Sequence, residues 1–298
     1  MLRVLHFSDV HVQVPLGEIP IVQMLNKRLL AAVNLRFRRW RRFVRAPSKL
    51  AALCSFARQA QVDFAICTGD LTALGTEPEL RLARSCLQGL LASPLGLLSI
   101  PGNHDIYLSD ALRDARFERH FGDVMKTHLP ELSVDERWPV IRLVGDRLAV
   151  VAVNSARPNP LPWLSSGTVP PAQLQALSRA LAHPEIARRF VLVATHYAPR
   201  RADGSIDNSL HGLDNADDLL RACAGLRRGA IVHGHIHQRY YLPGRGTDPP
   251  LLCAGSATHE GREGAWLFEL SESRVHATPA QWSGTGYSLD PSRAVEVR

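Results

Sequence analysis

Residues 62–71 read VDFAICTGDL, and this stretch decides the fold class. The apolar run Phe64–Cys67 is continuous, not alternating, which is the pattern of a strand buried on both faces. The polar group TGDL closes it, with Gly69 and Asp70 at its centre. Similar short runs recur as LRVLHF, LGLLSI, LAVVAV, RFVLVAT and AIVHG. Helical patterns lie between several of them. SKLAALCSFARQAQ follows Pro47, with Ser48 as its expected cap. TEPELRLARSCLQGLLAS opens on Thr76, with Pro78 in the first turn and Glu79 three residues on, a capping-box arrangement. PPAQLQALSRALAH and LDNADDLLRACAGL read the same way, and Gly225 is the expected stop of the latter. Strands alternating with helices predict an α/β fold.

In the last third the rhythm changes. RYYLP, LLCAGSAT, AWLFELS and RVHATPAQW are short strands with few helices between them, which predicts a second, more antiparallel sheet. From about Ser283 the tail is small and polar and is expected to be poorly ordered. The 298 residues show no internal repeat and no low-complexity linker, so one domain over 1–298 is expected.

Formal net charge is +7, from 35 basic and 28 acidic residues. Eight basic residues and no acid fall between Lys27 and Arg45, leaving 27 basic against 28 acidic elsewhere. The positive charge is therefore one patch, which argues against a chain coated in nucleic acid. Cys54, Cys67, Cys86, Cys223 and Cys253 are scattered and form no CxxC, so neither a disulfide framework nor a zinc ribbon is indicated. A reducing cytoplasm is the expected location. The N-terminus, MLRVLHFSDVH, reads as a strand and not as a signal peptide. No apolar run approaches the roughly 18 residues needed to span a bilayer.

Five polar motifs sit at or just after strand ends. SDVH carries Asp9 and His11, TGDL carries Asp70, and GNHD carries Asn103, His104 and Asp105. THY carries His196, and HGHIH carries His235 and His237. In open α/β sheets the ligand crevice lies at the carboxyl ends of the strands, so these motifs are expected to meet there. A mixed oxygen and imidazole set without thiolates suits a transition metal better than calcium. On an extended strand the i and i+2 residues of DVH and HIH would point to one side. Gly69, Gly102 and Gly234 precede ligand-type residues, as close backbone passage requires. Any one of these motifs alone is an ordinary turn or a hydrogen-bonded polar pair; all five in order are not.

The set resembles the calcineurin-like metallophosphoesterase superfamily, whose blocks are DxH, GD, GNH[DE], H and GHxH. All five stand here unsubstituted, from Asp9 to His237, about four-fifths of the chain. The resemblance implies a four-layer α/β/β/α sandwich of two mixed sheets and a phosphoester hydrolase with two divalent ions. It assigns Asp9, His11, Asp70 and His237 to one ion, and Asp70, Asn103, His196 and His235 to the other. Manganese, iron, zinc or magnesium would serve, with manganese favoured. Paired divalent ions neutralise phosphoryl oxygens and lower the pKa of water. His104 would be the catalytic proton donor or charge stabiliser, with Asp105 orienting its imidazole.

Among the other histidines, His6, His120, His183 and His276 are expected to be structural or solvated. His211 and Arg200, in the loop after His196, and Arg157, after VVAVNSA, are candidate substrate contacts at the rim. The basic insertion spans about 14–46, bracketed by Pro15, Pro20 and Pro47. A helix over 21–45 would carry an apolar stripe of Leu25, Leu29, Val33, Phe37, Trp40 and Val44. Lys27, Arg28, Arg38, Arg39, Arg41 and Arg42 would mostly lie off it. A packed surface helix explains the stripe but not the absence of acids. Nucleic acid explains the charge, but the aromatics keep a helical spacing. An interfacial membrane helix explains both, with Leu29, Val33, Phe37, Arg38, Trp40 and Arg41 as its contacts with an anionic leaflet.

That reading predicts a peripheral enzyme on the inner face of the cytoplasmic membrane. Its substrate would be a lipid-linked or nucleotide-containing phosphodiester or pyrophosphate. The insertion is similar in position and character to the cap of UDP-2,3-diacylglucosamine pyrophosphatases. A soluble cyclic-nucleotide phosphodiesterase is the alternative enzyme. A non-catalytic scaffold of the same fold is disfavoured because every ligand block is intact.

Overall fold

The computed structural model describes residues 1–24, 28, 29, 40–159, 161 and 163–297. Two sheets carry the fold. The first is built on β1 (Leu2–Phe7), β2 (Phe64–Cys67) and β3 (Leu97–Ser99), which are mutually parallel neighbours. The second contains β4 (Val140–Val144), β5 (Leu148–Ala152), β6 (Phe190–Ala194), β7 (Gly229–His233), β8 (Arg239–Leu242) and β9 (Leu251–Ala254). Its order is β4-β5-β6-β7-β9-β8, with β5, β6, β7 and β9 parallel. The remaining strands, β10 (Gly264–Leu270), β11 (Val275–Trp282), β12 (Tyr287–Leu289) and β13 (Val295–Glu296), extend the first sheet.

This arrangement corrects the expectation that the late strands form a sheet of their own. β10 pairs antiparallel with β1, in register Leu2 with Leu270, while β8 and β9 join the second sheet. The physical reason is symmetry of need: each parallel sheet has an open edge, and short antiparallel strands cover both. The tail is likewise not loose. β12 and β13 pair with β11, and Tyr287 is buried. The hairpin strand β4 was not anticipated from its sequence, VIRLV, because Arg142 interrupts the apolar run.

The layers follow from alternation. Val150, Ala152, Leu192, Ala194 and Val232 face the first sheet and share its core with Val4, Phe64, Leu98 and Phe268. Their neighbours Ala149, Val151, Val191, Val193 and Ile231 face the opposite way, onto Leu174, Leu177, Leu219 and Leu220 of helices Pro171–Ala182 and Ala216–Ala222. Helix Ala46–Gln59 buries Leu50, Leu53 and Phe56 on the outer side of the first sheet. The result is the helix, sheet, sheet, helix sandwich implied by the motif set.

Local signals account for the helix starts. Thr76 and Glu79 form a reciprocal capping box on Glu77–Cys86, worth about 1 kcal/mol relative to an uncapped end. Helix Ala46–Gln59 instead begins two residues before Ser48, with Pro47 in its first turn where no amide donor is needed.

Candidate metal centre and its surroundings

The parallel strands of both sheets run toward one end of the sandwich, and every motif lies just past the C-terminal end of one of them. The residues do not sit on extended strand, as the i, i+2 spacing suggested. Asp9, His11, Asp70, His235 and His237 have φ of 55°, 47°, 56°, 68° and 53°, in the left-handed region. Such backbone costs about 1–3 kcal/mol per residue outside glycine. Its effect is to fold each motif sharply, so that two side chains converge instead of running side by side. Asp9 Oδ1 and His11 Nε2 come to 3.7 Å as a result.

One cluster comprises Asp9, His11, Asp70 and His237. His237 Nε2 lies 3.0 Å from both His11 Nε2 and Asp9 Oδ1. His11 Nδ1 faces the Thr72 carbonyl at 3.2 Å, which can only accept, so the neutral ring carries its proton there and a lone pair on Nε2. Asp9 Oδ1 is buried without a hydrogen-bond donor. Two imidazole nitrogens and two carboxylates thus converge on one small buried space, a donor set that suits a cation among them.

The second group repeats the logic. His196 Nδ1 donates to the Thr68 carbonyl at 2.7 Å, leaving the Nε2 lone pair 3.1 Å from Asn103 Oδ1. His235 Nε2 donates to the His211 carbonyl at 2.9 Å, so its Nδ1 lone pair faces the same oxygen at 3.1 Å. Asp70 Oδ2 stands between the groups, 3.6 Å from His11 Nε2 and 3.5 Å from His196 Nε2. Burial lowers the pKa of His196 and holds that of His235 well below the usual imidazole range, so both present neutral rings. Burial pushes the Asp9 carboxyl up, but His237 and His11 outweigh it and hold it well below the usual carboxylate range. The first cluster therefore offers a donor set that fits a divalent ion, and Asn103, His196 and His235 turn further donor atoms toward one another beside Asp70.

Asp105 does not orient the His104 imidazole as the motif implied. His104 Nδ1 donates to the Ala73 carbonyl at 2.7 Å, and that carbonyl fixes the ring. The Asp105 carboxylate instead accepts from the backbone amides of Leu71, Thr72 and Gly102 and from the Thr72 hydroxyl, at 2.9–3.1 Å. It ties the GNHD turn to the TGDL turn and is a positioning residue for both. Burial raises its pKa to about 6 against these bonds. The glycines are required by space. A Cβ on Gly102 would stand 2.2 Å from Asp70 Oδ1, and one on Gly234 would stand 1.9 Å from Ser8 Oγ.

The calcineurin-like phosphoesterase family profile matches residues 2–239, the span that carries all the converging ligands. The chain belongs to the calcineurin-like phosphoesterases. Among solved structures it is similar to a dimetal phosphatase from Danio rerio, with TM-score 0.66 and 12% identity, covering 99% of this chain and 98% of that one. It is also similar to purple acid phosphatase from yellow lupin seeds, with TM-score 0.62 and 11% identity, over 97% of this chain and 52% of the lupin chain. At such identities the likeness shows the fold. No curated protein matches the chain. It is a metal-dependent phosphoesterase, and its family implies a dinuclear divalent centre.

Beside the ligands of this phosphoesterase opens a cavity of about 350 Å³. Asp70, Asn103, His104, His235 and His237 form its floor, and Arg42, Tyr107, Asn159, Leu164, Ser165, His211, His259 and Arg262 its walls. His211 is where the sequence placed it, with Asp207 accepting from its Nδ1 at 2.6 Å. Arg157 and Arg200 are not among the lining residues. Arg157 is held by Asp214 and Ser166, and Arg200 by Asp217. A nearby carboxylate captured each before the rim could use it.

His259, Tyr107 and Arg262 were missed. His259 Nδ1 lies 3.0 Å from His237 Nδ1, and the Tyr107 ring stacks on His104 with centroids 5.6 Å apart. The strand-end rule would have found His259, since β9 is a parallel neighbour of β7 and His259 follows it.

The insertion departs from expectation in which side chains it buries. Leu25, Lys27, Val33, Phe37, Arg38 and Arg39 lie outside the described residues, as does the side chain of Trp40. Of the described residues, Ile21–Met24, Arg28, Leu29 and Trp40–Phe43 are all helical, as expected, and the chain turns at Val44 and Arg45 before the next helix. Leu29 and Val44 are exposed, and Arg41 is exposed as expected. Arg28, placed on the polar face by periodicity, is fully buried, gripping Asp110. Phe43, off the predicted stripe, is buried against His11, His237 and His259. Among the described residues no helix is long and apolar enough to cross a membrane.

Proposed function

We propose that this phosphoesterase cleaves a phosphodiester or pyrophosphate bond in an amphiphilic substrate, lipid-linked or nucleotide-containing, at the cytoplasmic surface of an anionic membrane. One observation carries the reading. Most exposed large apolar side chains among the described residues fall in the three segments that wall the cavity. Ile21, Val22, Leu29 and Val44 belong to the insertion that supplies Arg42; Leu161 and Trp163 belong to the 159–165 segment; Ile206 and Leu210 precede His211. Val22 is 77% and Trp163 66% exposed. Exposed apolar groups on segments that also contribute to a polar cavity suit contact with acyl chains, with Trp at the boundary.

The roles of the residues follow. Asp9, His11, Asp70 and His237 would hold one ion, and Asp70, Asn103, His196 and His235 the other, with manganese proposed as the metal. Bound there, such ions supply Lewis acidity toward phosphoryl oxygens and lower the pKa of water. His104 is anchored through Nδ1, so Nε2 is the atom that transfers a proton. Water's oxygen bonds to phosphorus and keeps one proton, the P–O bond to the leaving group breaks, protonated His104 delivers its Nε2 proton to the leaving oxygen, and the water's other proton restores the ring. The His104 amide donates to Asp70 Oδ1 at 2.7 Å, which locks the proton donor to the centre of the ligand set.

The test uses a manganese-supplemented panel containing cyclic AMP, bis-p-nitrophenyl phosphate and a UDP-linked diacyl sugar, with and without anionic vesicles. Preference for the amphiphilic pyrophosphate and co-sedimentation with vesicles are expected. Replacing Val22 and Trp163 together by Ser should weaken vesicle binding about tenfold or more. Turnover of cyclic AMP with no response to vesicles would favour a soluble cyclic-nucleotide phosphodiesterase instead.

A further inference from the structure

The insertion and the loop after β9 are fastened side by side. The Glu260 amide donates to the Arg42 carbonyl at 2.9 Å. Arg45 holds the Glu260 carboxylate with two hydrogen bonds, at 2.7 and 2.6 Å, and Lys49 adds a contact at 3.0 Å. Buried Lys49 also binds Glu263. Arg45's hydrogen bonds lead in holding the Glu260 pKa down to about 2, so the acid is ionised throughout the working range.

This junction joins Arg42, Arg45, Lys49 and Arg262 to Glu260 and Glu263. Both acids are occupied by Arg45 and Lys49. Arg42 and Arg262 therefore form the surplus. Among the described residues neither guanidinium has a carboxylate partner, unlike Arg28, Arg157 and Arg200. Both line the catalytic cavity, on the wall that carries His259.

We infer that Arg42 and Arg262 form an anion subsite for a second phosphate of the substrate, next to the phosphate that is cleaved. The inference rests on the proposed reading and narrows it to substrates with a pyrophosphate link. The scissile phosphoryl group is served by the ligand cluster and His104. Arg42 and Arg262 add two guanidiniums to the same cavity beyond that set. They match the oxygens of a neighbouring phosphoryl group, which guanidinium forks bind in pairs. In the reaction, water's oxygen bonds to one phosphorus and the bridging oxygen departs with the other phosphate, taking one proton. Two phosphomonoesters result.

The experiment compares wild type with Arg42→Gln, Arg262→Gln and the double variant in solution, without vesicles. Substrates are UDP-glucose, with a pyrophosphate link, and bis-p-nitrophenyl phosphate, with one phosphate. The ratio of kcat/KM for the first over the second should fall about 10- to 100-fold in the double variant, mostly through KM. Inhibition by imidodiphosphate, a non-cleavable pyrophosphate, should weaken in parallel, and far more than inhibition by inorganic phosphate. Lys at both positions should restore part of the ratio.

An unchanged ratio together with unchanged imidodiphosphate inhibition would overturn the subsite. So would equal losses on both substrates. A wild-type enzyme that cleaves the diester but neither cleaves nor is inhibited by any pyrophosphate would overturn the pyrophosphate reading as well. Failure of vesicle binding alone leaves these arginine measurements intact, so the two ideas fail separately.

Discussion

Arg28 grips Asp110 through two hydrogen bonds, at 2.7 and 3.0 Å, while its Nε donates to the Leu74 carbonyl at 2.7 Å. The side chain is fully buried, so this pair pins the first half of the insertion to the body. Removing one partner strands a buried charge. Asp110→Ala should cost about 3–5 kcal/mol in unfolding free energy by urea titration. The double variant Arg28→Met, Asp110→Leu should recover most of it, because the cost comes from the unpaired guanidinium and not from loss of attraction. Arg116, which also reaches Asp110 at 2.8 Å, would keep part of the single-variant effect.

Phe43 closes the other end of the insertion over the ligand cluster. Its ring centroid lies 4.7 Å from that of His11 and 5.0 Å from that of His259. Phe43→Ala should lower stability by about 3 kcal/mol, since a buried aromatic leaves a cavity. It should also weaken manganese binding, measured by competition with a chelator, because His11 loses the packing that aims it. Phe43→Leu should fall between the two. Unchanged metal affinity in Phe43→Ala would show that the ring only fills space.

His104→Ala separates proton transfer from ion binding. The kcat should fall about 10²–10⁴-fold while elemental analysis still finds two ions per chain. Loss of an ion in this variant would make His104 a ligand and reassign the site.

Glu79 gives the fold a pH dependence. Burial raises its pKa to about 7, despite hydrogen bonds from Thr76 and Leu74. The folded state therefore holds this proton more tightly than the unfolded chain, where the carboxyl titrates near 4.5. Its contribution is fully present below about pH 4.5 and is lost as pH rises through about 7. Between those values wild-type stability should fall by up to ~1.4 kcal/mol per pH unit from this group alone. Glu79→Gln should flatten that slope in urea titrations at pH 5, 6, 7 and 8. An equal slope in the variant would place the charge elsewhere.

The ligand set was legible because ligation needs particular atoms, and only Asp, Asn and His at those motifs supply them. The strand ends were legible because VDFAIC and AIVHG are buried on both faces and cannot be anything wetter. The backbone at the ligands was not: Asp9 and His237 adopt a left-handed conformation that non-glycine residues visit uncommonly, and the local sequence does not mark it. In the insertion periodicity matched the helix but misjudged the burial of Arg28 and Phe43 for a related reason. It assumes that polar faces meet water, yet Arg28 found Asp110, 82 residues away, and Phe43 found the histidines. Strand partners across large separations, such as β1 with β10, are likewise set by which edge remains open.

Between Lys27 and Arg45 the chain places eight basic residues, yet Arg28 and Arg45 already face carboxylates of the same molecule. Any adhesion to an anionic leaflet thus has fewer ions to release than the count implies, and Ile21, Val22 and Leu29 must supply more of the grip. Raising ionic strength should loosen such contact only modestly, whereas shortening those aliphatic side chains should abolish it.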